Sequence, residues 1–226
     1  MEQNHTREYS AVWLTQLRNI MSGIGLIGSS GCGKTTLAVK ISEAAGIPFI
    51  GSQARGIHTL LEIDPDKPCD YDLKMKAQTK MLEVAESEYE SVNGLFISDR
   101  TPMDFAAHMM AESLSHNLNE EQTQFDLDYV EDCYRVTNLY FSCLILIPPA
   151  KSIAIESGRA NNKAYANHIQ TIMTGMIADP YRKLYCGKHF MKQNESSLMK
   201  RAEMVVKVAA LGELNCITEK ANSVTH

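Results

Sequence analysis

The sequence predicts an α/β protein with three layers: a doubly wound parallel sheet of about five strands between two layers of helices. Two observations lead to this fold class. Short apolar runs of strand length alternate with longer segments whose apolar residues recur at helical spacing, and a glycine-rich segment joins the first strand directly to the first helix. The length of 226 residues and the apolar fraction of 44% suit one large domain with its own core.

In the first part of the chain, the boundaries of the elements have recognisable signals. The apolar run at 23–27 predicts a buried strand, and the helix at about 34–45 stops at Gly46, a residue that tolerates the left-handed C-cap conformation. A short strand at 47–50 follows. The segment 51–70 is rich in Gly, Pro and Asp, which predicts a loop with a turn or two of helix.

The middle of the chain predicts one strand among three helices. A long helix at 71–92 ends at an Asn-Gly pair, and an apolar strand follows at 94–98. The segment Thr101–Asp104 then starts a helix, because it has a hydroxyl at the N-cap and a proline in the first turn. We therefore expect helices at about 102–115 and 119–138.

The last third of the chain contains the most apolar run of the sequence, at 141–147, which predicts a central strand closed by two prolines. The region 150–187 is polar and helix-forming. A last strand is expected at 189–192, and a closing helix at about 196–211.

These elements predict one core domain at 22–215, within which the region 150–187 is a candidate helical lid. Residues 1–21 precede the first core strand and are expected to form an N-terminal helical appendage. Residues 216–226 are expected to form a tail.

The segment from Gly28 to Thr35 fits the pattern G-x-x-x-x-G-K-[ST] of a phosphate-binding loop. Its glycines allow successive backbone amides and the positive end of the next helix to face a polyphosphate. Lys34 would reach the β- and γ-phosphates, and the Thr35 hydroxyl would hold Mg²⁺. The candidate nucleotide-binding residues are Gly28, Ser29, Ser30, Gly31, Cys32, Gly33, Lys34, Thr35 and Thr36. The sequence thus predicts the P-loop NTPase fold, with ATP and Mg²⁺ as cofactors.

The six cysteines are scattered without C-x-x-C spacing, so reduced thiols are expected and a metal site is not. Cys32 lies inside the phosphate-binding loop. A redox switch at this residue is a hypothesis that depends on the pKa and the exposure of its thiol.

A second candidate site follows the strand at 94–98. Asp99 stands where an acid can hold Mg²⁺ or accept a proton near a bound nucleotide. Arg100 beside it can bind a phosphate with two parallel hydrogen bonds. Both residues are therefore candidate catalytic residues.

Three segments, GSSGCGKTTLA, AGIPFI and FISDRTPMDFAA, resemble the small P-loop kinases of bacteriophages and bacteria. These belong to the thymidylate-kinase and deoxynucleoside-kinase group and are often labelled AAA-type ATPases. The Asp-Arg-Thr run at 99–101 resembles the acid-Arg-Ser/Thr signature of nucleoside kinases, and the matching segments cover about residues 22–110. The resemblance implies transfer of the γ-phosphate of ATP to a hydroxyl of a nucleoside, a nucleotide or a modified base, including 5-hydroxymethyluracil within DNA in some viral members.

The sequence departs from many deoxynucleoside kinases, which place a carboxylate directly after the second strand. The segment 51–55 contains no acid, and its Gln53 and Arg55 suit hydrogen bonding to a substrate base or phosphate. The general base is then either Asp99, which we favour, or an acid of the loop at 62–66.

The implied mechanism uses positioning and charge neutralisation. Lys34 and Arg100 would meet the charge of the transferred group, and Thr35 and Asp99 would hold Mg²⁺. Arg159 is the best candidate for an arginine of the lid that closes over this group and excludes water.

The charge distribution limits the partners. The net charge of −5 argues against a protein that coats DNA by bulk electrostatics. The charge is uneven, however, because residues 112–132 contain seven acids and no Lys or Arg, whereas residues 151–207 contain ten bases and four acids. The charge distribution therefore does not decide between two classes of substrate, which are DNA with a modified base and free nucleosides or nucleotides.

No apolar run approaches the roughly 20 residues that span a bilayer, and the first twenty residues do not form a secretory signal. We therefore expect a cytoplasmic protein (in the host cytoplasm if it is viral) without a membrane partner. The sequence leaves the oligomeric state open, and a homodimer is one possibility. The alternative functions are a deoxynucleoside monophosphate kinase and an ATPase that couples hydrolysis to assembly or regulation. No sensor arginine or extra helical domain of the second class is recognisable.

Overall fold

The computed structural model describes residues 22–64, 70–149, 163–193, 195 and 197–223, with side chains up to residue 210 in the last helix. In chain order, the elements are β1 (Gly23–Ile27), α1 (Lys34–Ala45), β2 (Phe49–Ile50), α2 (Ala54–Leu60), α3 (Tyr71–Ser91), β3 (Ile97–Ser98), α4 (Pro102–Ser113), α5 (Glu120–Tyr140), β4 (Phe141–Leu146), α6 (Lys163–Ala178), β5 (Gly187–Phe190) and α7 (Leu198–Ser223).

The five strands form one parallel sheet in the order β2-β3-β1-β4-β5, which confirms the predicted fold class. The central strand β1 pairs with β3 on one side and with β4 on the other. The strand order reverses at β1, and ligands of such sheets bind at this point, outside the carboxyl ends of the strands. The phosphate-binding loop therefore starts at the place where a doubly wound sheet forms its ligand site.

Helices cover both faces of the sheet. On one face, α1 and α7 pack against β1 and β4 through a core that includes Ile24, Leu37 and Val205. On the other face, α3, α4, α5 and α6 enclose a larger core that includes Met103 and Met173. This burial of apolar surface on both faces explains why β1 and β4 read as nearly continuous apolar runs.

Close packing of α4 on β1 depends on a glycine in the central strand. A Cβ atom added at Gly25 would lie 2.6 Å from Cγ2 of Thr101 and 2.7 Å from Cδ2 of Leu144. The absence of a side chain here allows the start of α4 to lie directly against β1. This contact brings the segment after β3 next to the phosphate-binding loop.

The start of α4 agrees with the prediction from its sequence. The carboxylate of Asp104 accepts hydrogen bonds from the backbone amide of Thr101, at 2.9 Å, and from its hydroxyl, at 3.0 Å. Pro102 occupies the first turn. The first of these contacts satisfies the Thr101 amide, which has no partner within the helix.

Several predicted boundaries were wrong. Strand β3 is shorter than the predicted 94–98, and β5 begins two residues earlier than the predicted 189–192. Helix α7 continues to Ser223, past the predicted end at 211 and over most of the segment 216–226 predicted as a tail.

The candidate lid region 150–187 contains helix α6. Helix α6 carries buried residues at helical spacing, namely Ile169, Met173, Met176 and Ile177, and they pack into the core beside α4. A helix with such a buried stripe packs on the core of the domain. Residues 150–162 and the predicted appendage at 1–21 lie outside the described residues.

Two glycine substitutions test the packing of β1. We expect Gly25→Ala to destabilise the protein by about 1–3 kcal/mol, because the new methyl group overpacks a filled core. Gly175→Ala is the matched control, since its Cβ on the exposed side of α6 has nothing within 4 Å. This control should raise the stability by about 0.5–1 kcal/mol. Urea unfolding of both variants gives the comparison, and equal stabilities would contradict close packing of α4 on β1.

Candidate active site

The phosphate-binding loop connects β1 to α1 and has the conformation that its glycines permit. Gly31 and Gly33 have φ angles of 79° and 85°, in the left-handed region that other residues rarely adopt. At Gly28 a Cβ atom would lie 2.5 Å from the carbonyl oxygen of Ile147, so only glycine fits there. The loop ends at Lys34, the first residue of α1. It therefore presents the amino-terminal end of a helix to a ligand, as an anion site requires.

The Lys34 side chain is buried and points back into the loop. Its ammonium group donates hydrogen bonds to the carbonyl oxygens of Gly28 and Ser29, the second at 3.2 Å. It also lies 3.8 Å from Oδ1 of Asp104. The ammonium is thus held at the phosphate-binding loop by two carbonyl oxygens and a carboxylate, and a polyphosphate could replace the carbonyl oxygens.

The side chains of Thr35 and Asp99 are in contact beyond the carboxyl ends of the paired strands β1 and β3. The Thr35 hydroxyl donates a hydrogen bond to Oδ2 of Asp99. The second oxygen, Oδ1, is buried and has no hydrogen-bond partner among the described residues. Parallel pairing of the two strands explains the contact, because their carboxyl ends lie side by side.

The oxygen atoms of Thr35 and Asp99 are suitable ligands for Mg²⁺. The ion prefers oxygen ligands and is usually held by one or two protein groups together with substrate phosphates and water. A hydroxyl and a carboxylate with an unpartnered oxygen meet this requirement. Within the described part of the chain, no cluster of three His, Cys, Asp or Glu residues could hold a metal ion by itself.

Asp104 is a charged residue of the site that the sequence identified only as a helix cap. It is 1% exposed, and its two oxygens face Thr101 and Lys34. Burial raises the pKa of the Asp104 carboxyl, whereas the positive charges of Lys34 and Arg100 oppose this shift. Asp104 also balances the charge of Lys34. This contact depends on the fold, so no pattern in the sequence indicates it.

Arg100 follows Asp99 and lines a small cavity. Its backbone carbonyl accepts hydrogen bonds from the Tyr89 hydroxyl, at 3.1 Å, and from the Ser98 hydroxyl, at 2.7 Å. Its half-buried guanidinium has neither a hydrogen bond nor an ion pair with any described residue. The Arg100 cavity lies between residues 50–54, helix α3, Arg100 and Phe105, and its volume is about 10 Å³.

Of the two predicted substrate residues, Gln53 lies in this cavity and Arg55 does not. Gln53 Nε2 donates a hydrogen bond of 3.0 Å to Glu88, a residue of α3 that also lines the cavity. Arg55 is exposed on α2. Sequence reasoning missed Glu88, because it lies in the last turn of a long helix and no local pattern marks it.

A polar chain lies on α4 and α6 near Arg100. The Nδ1 atom of His108 is 3.3 Å from the Tyr165 hydroxyl, which donates to Glu112 at 3.4 Å. Burial lowers the pKa of His108 to about 3, and the positive charges of Arg100 and Lys34 act in the same direction. His108 is therefore neutral at pH 7 and can both donate and accept a hydrogen bond.

Cys32 does not have the features of a redox switch. Its side chain is 1% exposed, and burial raises the pKa of its thiol, although the charge of Lys34 opposes this shift. A reactive cysteine has a lowered pKa and an accessible thiol. Cys32 instead packs in the core between α1 and α7.

The structure thus brings Lys34, Thr35 and Asp99 together and places Arg100 and Gln53 in one adjoining cavity. Arg159, the predicted arginine of the lid, lies outside the described residues. None of the described helices is both long and apolar enough to cross a membrane.

Comparison with known proteins gives one family match. A family model described as an AAA domain matches residues 24–179, which is more than half of the 226 residues. The comparison with curated proteins gave no match.

Solved structures with a similar fold include two nucleoside or nucleotide kinases. Deoxyadenosine kinase from M. mycoides is 17% identical, with a TM-score of 0.58 over 89% of this chain and 99% of that chain. Thymidylate kinase from Candida albicans is 12% identical, with a TM-score of 0.61 over 87% and 94% of the two chains. A NadR protein solved with NAD and AMP-PNP is 15% identical, with a TM-score of 0.60, and the match spans 87% of this chain but 51% of NadR. At these identities the similarity establishes a shared fold.

Proposed function

The chain belongs to the AAA domain family, and we propose that it is a P-loop kinase. It would transfer the γ-phosphate of ATP to a hydroxyl group of a nucleoside, a nucleotide or a modified base. The observation that carries the proposal is the contact between Thr35 and Asp99 beside the phosphate-binding loop, with Arg100 in the adjoining cavity. A donor-phosphate site and an acceptor site on either side of Asp99 are what phosphoryl transfer requires.

On the donor side, the loop amides and Lys34 bind the polyphosphate of ATP. Lys34 leaves the carbonyl oxygens that it contacts in this structure and turns to the phosphates, where it stabilises the charge that develops as the β,γ-bridge breaks. Thr35 and Asp99 would hold Mg²⁺. When bound, the ion would neutralise part of the phosphate charge.

We assign Asp99 to the metal side of the site. The sequence favoured an acceptor-side role for this residue, because the segment after β2 lacks an acid. The hydrogen bond from the Thr35 hydroxyl ties the Asp99 carboxylate to the metal-binding position instead. One carboxylate cannot readily serve as metal ligand and as general base together.

The acceptor-side acid in this proposal is Glu88. It lines the Arg100 cavity and is half-buried, so an acceptor hydroxyl could reach it. Asp104 is less suited, because its oxygens face Thr101 and Lys34. Gln53, the present partner of Glu88, would turn to the acceptor.

The Arg100 cavity must widen when an acceptor binds. Its volume of about 10 Å³ is room for about one water molecule, whereas small-molecule sites measure about 300–1,000 Å³. The neutral pair His108 and Tyr165 nearby offers hydrogen bonds to a base or a sugar. Arg159 stays our candidate for the arginine that closes over the transferred group.

The finer identity of the acceptor rests on the sequence resemblance. A bacteriophage enzyme that phosphorylates 5-hydroxymethyl-deoxyuridine in DNA, in the cytoplasm of the host, is one member of the proposed class, and a deoxynucleoside monophosphate kinase is another. The two differ in the acceptor that receives the phosphate, and a transfer assay with both kinds of acceptor distinguishes them.

Transfer of labelled phosphate tests the proposed activity. ATP labelled at the γ-phosphate is incubated with deoxynucleosides, their monophosphates, plain DNA and DNA that contains 5-hydroxymethyluracil. We expect label on one acceptor class, and a loss of at least roughly a hundredfold in rate for Lys34→Ala, because phosphate charge is then left unbalanced. Release of free phosphate at a rate that no acceptor changes would identify an ATPase and overturn the proposal.

Replacement of Glu88 tests the acceptor-side assignment. We expect Glu88→Gln to lower kcat by about tenfold to a hundredfold, since loss of a general base typically costs about 10²–10⁴ and phosphoryl transfer depends less on a base. The KM for ATP should stay unchanged. Glu90→Gln, an exposed position on the same helix, is the control and should behave as the wild type. An unchanged kcat in Glu88→Gln would exclude Glu88 as the base.

A further inference from the structure

Arg201 lies near the start of α7, directly behind the phosphate-binding loop. It is 9% exposed. One of its terminal nitrogens, Nη2, donates a hydrogen bond of 3.1 Å to the carbonyl oxygen of Cys32, and its Nε lies 3.2 Å from Sδ of Met191. No motif of the sequence marks this residue, and it has no part in the proposed transfer step itself.

The charge of Arg201 has no balancing partner in the described part of the chain. No carboxylate of the described residues forms an ion pair with its guanidinium, whose contacts are the carbonyl oxygen of Cys32 and Sδ of Met191. A buried charge is costly unless an opposite charge accompanies it. An anion that binds at the adjacent loop would supply that charge.

The hydrogen bond to Cys32 also fixes the orientation of one peptide group in the loop. In a trans peptide, the carbonyl group of one residue and the amide of the next point in opposite directions, and the described chain contains no cis peptide. Because the Cys32 carbonyl is directed at Arg201, the Gly33 amide is directed away from α7. The positive charge of the guanidinium polarises this peptide and makes its amide a stronger donor.

We propose that Arg201 is a positioning residue of the donor-phosphate site, which directs the Gly33 amide to the polyphosphate and whose buried charge the bound polyphosphate balances. The inference rests on the proposed binding of a nucleoside triphosphate. It assigns to α7, a helix far along the chain from the loop motif, a part in the recognition of phosphate.

Another contact of the same loop is made by a neutral side chain, in contrast to the charged contact of Arg201 with Cys32. Oε1 of Gln170, on α6, accepts a hydrogen bond of 3.0 Å from the Ser29 amide. Gln170 therefore holds the first peptide of the loop without adding charge. A brace needs only a hydrogen bond of this kind, so the use of a buried cation at Cys32 calls for an electrostatic explanation.

Three variants separate the electrostatic role from a mechanical one. Arg201→Gln removes the charge and keeps only a shorter side-chain amide, whose nitrogen stands near the position of the arginine Nε. Arg201→Lys keeps the charge without the Nη2 donor, and Arg201→Met removes the charge and the donor. Lys200→Met is the matched control, since this neighbouring cation is exposed. The measurements are the Tm of the full chain without nucleotide and the Kd for AMP-PNP with Mg²⁺, followed by the Kd for ADP and for AMP.

We expect Arg201→Gln and Arg201→Met to bind AMP-PNP at least tenfold more weakly, with an unchanged or higher Tm in the absence of nucleotide. The loss of affinity should decrease from AMP-PNP to ADP to AMP, because fewer phosphate charges remain. Lys200→Met should match the wild type. Arg201→Lys, which keeps the charge, should bind AMP-PNP within threefold of the wild type. An Arg201→Lys variant that binds as weakly as Arg201→Gln would indicate a mechanical brace and overturn the inference, as would an Arg201→Gln variant within threefold of the wild type.

The same experiment distinguishes failure of this inference from failure of the proposed function. If the wild type itself does not bind AMP-PNP, nucleotide binding is refuted and Arg201 loses its role with it. If the wild type binds and the affinity of Arg201→Gln is unchanged, only the role of Arg201 is refuted. Should Arg201→Met not fold, Arg201→Gln and Arg201→Lys give the decision.

Discussion

Parallel pairing of β1 with β3 is the constraint on which the candidate site depends. It places the carboxyl ends of two strands side by side, so the residue that follows the phosphate-binding loop lysine, Thr35, meets the first residue after β3, Asp99. Gly25 allows the start of α4 to pack directly on β1, which fixes the segment between β3 and α4 against the loop. Burial of apolar surface on both faces of the sheet thus determines where the charged groups meet.

The site concentrates charges that are costly to bury one at a time. Lys34 and Asp104 lie close enough to offset each other, and the Asp99 carboxylate has one oxygen on Thr35 and one without a partner. Arg201 adds a cation behind the loop. In the proposed kinase, bound ATP and Mg²⁺ complete the set of opposite charges. The stability of this region and its affinity for nucleotide are therefore two aspects of one electrostatic balance.

Local patterns predicted the parts of the site that lie close together in the sequence. The loop from Gly28 to Thr35 has a spacing that one strand, one turn and one helix fix by themselves, and an acid after the next apolar strand could be paired with it by topology. Glu88 and Arg201 could not be found in this way, because their positions depend on how α3 and α7 pack. The packing of α6 into the core had a local signal, since its apolar spacing already indicated a buried face.

The proposed site requires Asp99 to lie on the metal side of the bound nucleotide, and the affinity for AMP-PNP with and without Mg²⁺ tests this assignment most directly. We expect Mg²⁺ to tighten AMP-PNP binding to the wild type at least tenfold, and we expect this effect to disappear in Asp99→Asn. Binding of AMP-PNP without Mg²⁺ should be unchanged or tighter in this variant, because it removes a negative charge near the phosphates. An Asp99→Asn variant that keeps the full effect of Mg²⁺ would contradict the assignment of Asp99 to the metal.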